Sequence, residues 1–346
     1  MVAPSGEQHE LLYGDQRAVV VEVGAGLRTY SVGDRDVLDG YAVDEMCASG
    51  RGQVLLPWPN RIEEGRYTFD GHDHQLPLTE VAAGNAIHGL VRWGAWTVTE
   101  REPARVVLEH LLHPQPGYPF ALELRIEYSL SDDGLTVRTT ATNAGAGPCP
   151  FGSGMHPYFT VGTPPVDSLT LTVPARTVVG SGARGLPTEA HDVEGTDYDF
   201  RRPRVLSATQ LDNTFTDLEP DDDGVTRVQL RDEGSGVEVT VWADEAYTHF
   251  QLFTGDPLPD VNRRSLAVEP MSCPANAFRS GEGVVRLEPG ALRPARSRGR
   301  SFVARRSPRR RPTTRRVRTR WSASVPAAPT ISIATFAAST PTAPRA

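Results

Sequence analysis

The run Leu122-Glu-Leu-Arg-Ile-Glu-Tyr128 constrains the fold more than any other stretch of this chain. Leu122, Leu124, Ile126 and Tyr128 share one face and charges occupy the other, the period-two pattern of a half-buried β-strand. Ser131-Asp-Asp-Gly134 reads as a turn and Leu135-Thr-Val-Arg-Thr139 as the returning strand, so the pair is a hairpin. Further strands are expected at Ala18 to Val23, Leu27 to Val32, Arg105 to Leu112, Ser168 to Val173, Val225 to Leu230, Val237 to Val241 and His249 to Phe253. No segment sustains an apolar 3.6-residue period over three turns. The expectation is an all-β protein of large antiparallel sheets packed face to face.

Charge divides the chain. All 36 basic residues are Arg, and 14 of them lie after Gly290, where there is no Asp or Glu. Residues 1–290 therefore carry 22 Arg against all 43 acids. We read 1–290 as the folded domain and 291–346, Arg-rich and then rich in Ser, Thr, Pro and Ala, as a disordered tail. Three cysteines, Cys47, Cys149 and Cys273, have no framework spacing, which points to a reducing compartment. Met1 to Glu10 lacks the basic and apolar regions of a signal peptide, and no apolar run reaches membrane-span length. A cytoplasmic location is expected.

Long Pro- and Gly-rich connections over 44–64, 72–92, 148–165 and 177–204 hold most of the polar residues with chemical potential. In Leu266-Ala-Val-Glu-Pro-Met-Ser-Cys-Pro-Ala-Asn276, three apolar residues read as the end of a buried strand. Glu269 is then expected where Pro270 forces the chain out of the ladder, either as a proton-transfer group or as a strand-ending carboxylate in water. Pro-Trp58-Pro-Asn60-Arg61 offers an indole face for a sugar ring and a planar fork for hydroxyls; the alternative is a surface turn. His88 precedes Gly89, and His156 is followed by Pro157, so each imidazole is either structural or held for proton transfer. Asp212-Asn213 is a ligand carboxylate or an Asx turn.

Two metal or nucleophile readings fail on spacing. His72 and His74 alternate on one strand face, but no third ligand follows at zinc spacing. Cys273 lacks an activating signature. No phosphate-binding glycine fingerprint is present.

Taken in order, Pro-Trp-Pro-Asn60-Arg61-Ile, Asn85-Ala-Ile-His88-Gly, His156-Pro-Tyr-Phe, Leu-Asp212-Asn-Thr and Val-Glu269-Pro-Met resemble the aldose 1-epimerase (galactose mutarotase) family over about residues 10–290. The motif form is most similar to the bacterial branch that includes sulfoquinovose mutarotase-like proteins. The resemblance implies a β-supersandwich that binds a hexose in an open cleft. It implies Glu269 as general base and His156 as general acid, with Arg61, His88 and Asp212 on sugar hydroxyls. Trp58, Tyr158 and Phe159 are expected to offer an apolar platform, with Asn60 beside Arg61. Anomer interconversion removes the C1 hydroxyl proton and protonates the ring oxygen, so a carboxylate and an imidazole suffice, with no metal or organic cofactor.

The C-terminus departs from the family pattern. After Leu287-Glu-Pro-Gly290 a last strand normally completes the sandwich, yet here Arg-rich sequence follows. A shifted reading frame at a GC-rich coding end produces such a change, which resequencing the gene's end tests. Ser301-Phe-Val-Ala304 is a poor substitute for the missing strand. Two rival functions remain: a non-catalytic carbohydrate-binding protein, and non-specific nucleic-acid binding through the Arg-rich tail. The expected partner is a small sugar, with no membrane.

Overall fold

The computed structural model describes residues 2–161, 165–259, 261–290, 292–293 and 330–336. The expected hairpin is its longest element: Leu122–Ser131 pairs with Gly134–Asn143 from Leu122↔Asn143 to Ser131↔Gly134. The alternation holds through both strands, with Leu124, Ile126, Tyr128, Leu135 and Val137 turned inward. That hairpin belongs to a ten-stranded sheet. Its order is Thr97–Glu102, Arg105–Leu112, Leu122–Ser131, Gly134–Asn143, Thr330–Phe336, Val237–Ala243, Thr226–Asp232, Thr170–Thr172 and Arg204–Val205, with Leu292–Arg293 also beside Gly134–Asn143.

An eight-stranded sheet runs Pro187–Asp192, Ala175–Ser181, Asp212–Leu218, His249–Phe253, Leu266–Met271, Gly154–Met155 and Val54–Leu55, with Tyr158–Phe159 also on Leu266–Met271. Side chains from both sheets, including Ile126, Val137, Val241, Phe215, Phe250 and Val268, enter one continuous core. The architecture is the all-β supersandwich. A four-stranded sheet over Gln8–Asp36, three two-stranded ladders and the helical turns Val166–Ser168 and Ala277–Ser280 make up the other described elements.

Three local expectations are corrected. The connection read over 177–204 contains a hairpin, Ala175–Ser181 with Pro187–Asp192. Its second strand is exposed along its whole length, so its composition is that of a loop. Within 72–92, His72–Gln75 pairs with Arg66–Phe69, and Asn85–Ile87 pairs with Arg61–Glu63. Lastly, Pro270 does not end the strand at Glu269. Leu266–Met271 continues through it, wholly buried, with Pro270 opposite Phe250. The other flank pairs only at Leu266, Ala267 and Met271, so no ladder partner there stands opposite the missing N–H of Pro270.

The tail contributes two strands to the sheet. Leu292 and Arg293 pair with Thr142 and Ala141, and Thr330–Ile333 pair with Arg138–Leu135 farther along the same edge. Thr330–Phe336 also pairs with Val237–Ala243 from Ala243↔Ile331 to Glu238↔Phe336. Had the chain run on from Arg293 in register, Arg296-Ser-Arg-Gly299 would face Arg138–Leu135. Ser297 and Gly299 would then fall at the rows of the buried Val137 and Leu135. Ile331 and Ile333 take those rows instead, and Pro294 has no N–H with which to extend the first segment. Ser301–Ala304 and the rest of the tail expected to be disordered lie outside the described residues.

Candidate active site

Glu269 sits in the third row from the end of a strand buried at every position. Gln251 is its neighbour across the ladder and Thr214 is the neighbour of Gln251, so one row crosses three strands. Thr214 Oγ1 donates to Gln251 Oε1 at 2.6 Å, and Gln251 Nε2 donates to Asp212 Oδ1 at 2.7 Å. Ser181 Oγ reaches Asp212 Oδ2 at 3.4 Å. The glutamine fixes the plane of the Asp212 carboxylate.

His156 enters from the connection between Gly154–Met155 and Tyr158–Phe159, both of which flank Leu266–Met271. Its backbone N–H donates to the Gln53 carbonyl and its carbonyl accepts from Gly52, so the chain on both sides of the ring is pinned. Its Nε2 lies 3.3 Å from Glu269 Oε1. His88 meets the His156 ring edge-on, with centroids 5.2 Å apart. His88 is held in a left-handed backbone conformation, φ 61°, where its N–H donates to the carbonyl of Asn60, itself at φ 54°. Non-glycine residues adopt this conformation at an energetic cost, and such strain collects at functional sites.

Arg61 is gripped by Glu80, with Nε to Oε2 and Nη2 to Oε1 both 2.9 Å. The Asn85 amide donates to Glu80 Oε2 and to the Arg184 carbonyl. Arg184, on the tip of the Ala175–Asp192 hairpin, donates in turn to the carbonyls of Ala83 and Gly84 and to Glu63. Gly185 lies so close to the Arg61 guanidinium that a Cβ there would collide with it. Asn276, at the start of the short helix, accepts from the Glu63 N–H at 3.0 Å and so anchors the Arg61 strand.

Burial governs the protonation of the central pair. Desolvation, reinforced by the nearby Asp212 carboxylate and opposed by Arg61, pushes Glu269 well above the usual carboxylate range. Desolvation also lowers His156, to about 3, assisted by Arg92, Arg61 and Arg51. His88 is likewise pushed well down by burial and by His156. Asp212 is raised, chiefly by burial. Burial thus disfavours the charged form of both members of the pair. Glu269 Oε2, His156 Nδ1 and His88 Nδ1 are buried with no hydrogen-bond partner among the described residues.

The structure therefore brings Glu269, His156, His88, Arg61 and Asp212 into one constellation. Trp58 and Asn60 stand differently. Trp58 is turned into the core, 2% exposed and packed on Phe278 at 5.6 Å, so its ring offers no open platform; Tyr158 and Phe159 are equally buried. The Asn60 side chain accepts from the Arg61 N–H at 2.9 Å and shapes the turn. His74 stacks on Tyr67, and the buried Cys273 thiol is pushed up to about 12.

Gln251, Glu80 and Arg184 were missed in the sequence reading. A lone Gln inside the apolar run His249–Phe253 was an available signal, since a buried amide needs partners. Glu80 and Arg184 gave none, because their partners are distant in the chain.

The supersandwich thus carries a buried carboxylate–imidazole pair with Arg61, His88 and Asp212 beside it. The aldose 1-epimerase family model matches residues 11–298, and the chain belongs to that family. The uncharacterized protein YihR of Escherichia coli K12 is 35% identical over 287 residues, covering 83% of this chain and 90% of that protein. The aldose 1-epimerase of the same organism is 24% identical over 278 residues, 74% and 79% of the two chains. Among solved structures, a GalM/aldose epimerase homologue from C. elegans superposes with a TM-score of 0.75 at 21% identity, over 83% of this chain and 96% of that one.

Proposed function

We propose that this protein is an aldose 1-epimerase that interconverts the α and β anomers of a hexose by acid/base-assisted ring opening. The observation that carries the reading is the buried Glu269–His156 contact of 3.3 Å, whose two members have their proton affinities displaced in opposite directions. Ring opening needs one proton taken from the C1 hydroxyl and one given to the ring oxygen, with no net change. A pair that shares one proton does both, and the direction of transfer reverses when the ring closes on the other face. With sugar bound, the C1 hydroxyl and ring oxygen take up the positions that Glu269 and His156 now fill for each other. With the shared proton on the imidazole, Glu269 as carboxylate takes the C1 hydroxyl proton while His156 as imidazolium protonates the ring oxygen. Arg61, His88 and Asp212 hold hydroxyls, and Arg61 offsets charge that develops on oxygen. A carbohydrate-binding protein without catalysis has no use for such a pair.

The assignment of a hexose draws support from the rat relative named galactose mutarotase, 27% identical over 222 residues. The three free, buried cysteines support a cytoplasmic location, and no helix among the described residues is long and apolar enough to cross a membrane. Polarimetry on freshly dissolved α-anomers of galactose, glucose, other aldoses and sulfoquinovose tests the reading. Accelerated mutarotation of at least one is expected, and no acceleration of any would overturn it. A salt-titrated binding assay on the full chain and on residues 1–290 tests the nucleic-acid alternative. Tail-independent binding to RNA or DNA would contradict the sugar assignment.

A further inference from the structure

Behind His156 lies a layer that the mechanism above does not use. The Tyr158 ring stacks on the imidazole, with centroids 5.1 Å apart and planes inclined by 21°. The same ring lies under the guanidinium of Arg51, whose Cζ is 5.7 Å from its centroid. The Tyr158 hydroxyl donates to the Ser49 carbonyl at 3.0 Å, and its own carbonyl accepts from the Asp39 N–H at 2.9 Å. Gly50, at φ 76°, presses its backbone on the imidazole, since a Cβ there would lie 2.9 Å from His156 Cδ2. Arg51 is 6% exposed, and its Nε is 3.9 Å from Asp39 Oδ2. Asp39 also binds Arg264 Nε at 3.0 Å and Ser265 Oγ at 2.8 Å.

Burying a guanidinium is expensive even when it is paired. A core position of this kind is filled more stably by an apolar side chain unless the charge has a task. We propose that Arg51, acting through Tyr158, is a positioning residue that fixes the orientation of the His156 imidazole for proton transfer. The guanidinium lies over the tyrosine ring, that ring stacks on the imidazole and restricts its tilt, and the Gly50 backbone presses on the Cδ2 side. The proposal rests on the role given to His156 in mutarotation. The charge has a second consequence. Of the groups facing His156, Glu269 favours its protonated form, whereas Arg51, Arg61, Arg92 and His88 disfavour it.

Arg51→Met and Arg51→Lys separate the two effects. Loss of Arg51 leaves Asp39 paired with Arg264 and Ser265, so the methionine variant keeps no unpaired buried carboxylate. In Arg51→Met, the His156 titration midpoint read by NMR on ligand-free protein should rise by about one pH unit, the effect of removing one charge at this range. Its kcat should fall about tenfold, as for loss of a buried cation–π contact, with KM unchanged because no sugar contact is touched. Arg51→Lys keeps the charge without the planar guanidinium, so it should restore the midpoint and only part of kcat. An unchanged midpoint in Arg51→Met, or wild-type kcat in either variant, overturns the proposal. If Arg51→Met does not fold, the lysine variant decides by its kcat. If the wild-type protein shows no mutarotation, the enzymatic reading and the positioning role fail together, while the NMR midpoint still tests whether the Arg51 charge acts on the ring.

Discussion

The strands that carry the site and those that complete the larger sheet are assembled in different ways. In the eight-stranded sheet, Asp212, Gln251 and Glu269 come from three successive strands joined by direct ladder contacts, and His156 directly follows the adjoining strand Gly154–Met155. In the ten-stranded sheet, an interior position is filled by Thr330–Phe336, separated from Leu292–Arg293 by residues 294–329. The site sheet is distinguished by a few polar residues placed in buried rows. The tail-bearing sheet gains only closure of a gap, which any segment with the right alternation supplies. Chemistry constrains the first region residue by residue, and pattern constrains the second.

If that contrast holds, a change of one atom type matters most in the site sheet. Glu269→Gln preserves shape and removes the proton acceptor, so kcat should fall by about 10²–10⁴-fold while sugar binding and melting temperature change little. Near-wild-type turnover in the glutamine variant, measured by polarimetry, would return Glu269 to a structural role.

In the larger sheet, by contrast, the whole strand must go before much is lost. Removing residues 330–346 opens the ladder between Gly134–Asn143 and Val237–Ala243. A loss of about 3 kcal/mol should lower the melting temperature by about 10 °C in calorimetry. An unchanged melting temperature would show that the strand contributes nothing to closure.

Between these extremes lies the outer support of the site. Glu80→Gln leaves Arg61 without its bidentate partner and should raise KM about tenfold with a smaller change in kcat, the effect of one charge-assisted hydrogen bond. The smallest effect is expected from deleting residues 300–323. Ala141 and Arg138, where the two tail segments meet the same strand, are close in the chain, so a shorter connection spans the gap. The change in loop-closure free energy is about 1 kcal/mol and favours the shortened chain. A melting temperature lower by 10 °C would mean that the interval itself packs on the fold.

The same contrast explains what was legible in the sequence. Glu269, His156, His88, Arg61 and Asp212 each sit in a short run whose neighbours, Pro270, Pro157, Gly89, Asn60 and Asn213, mark a backbone under constraint. Such local signals survive in one dimension. Glu80, in Leu-Thr-Glu-Val81, looks like a solvated carboxylate, and only its contact with Arg61 gives it meaning. Arg51 looks like one more surface arginine until its place over Tyr158 is seen. Ile331 and Ile333 alternate as a strand should, but the Ser, Thr, Pro and Ala around them carry the signature of an unfolded tail. Trp58 misled in the opposite direction, because flanking prolines fix a turn without saying which way its indole faces.

The central claim is that Glu269 and His156 act as a pair sharing one proton, and the pH dependence of mutarotation tests it most directly. Burial holds His156 far below an ordinary imidazole and Glu269 above an ordinary carboxylate, so neither group should titrate at its ordinary value. Polarimetry on the favoured aldose should give a rate, corrected for buffer catalysis, that shows no inflection at the ordinary imidazole value of 6.5. It should fall on the acid side only as His156 takes a second proton, and on the alkaline side as Glu269 gives up the shared one. A rate that halves near the ordinary imidazole value of 6.5 would contradict the shared-proton pair.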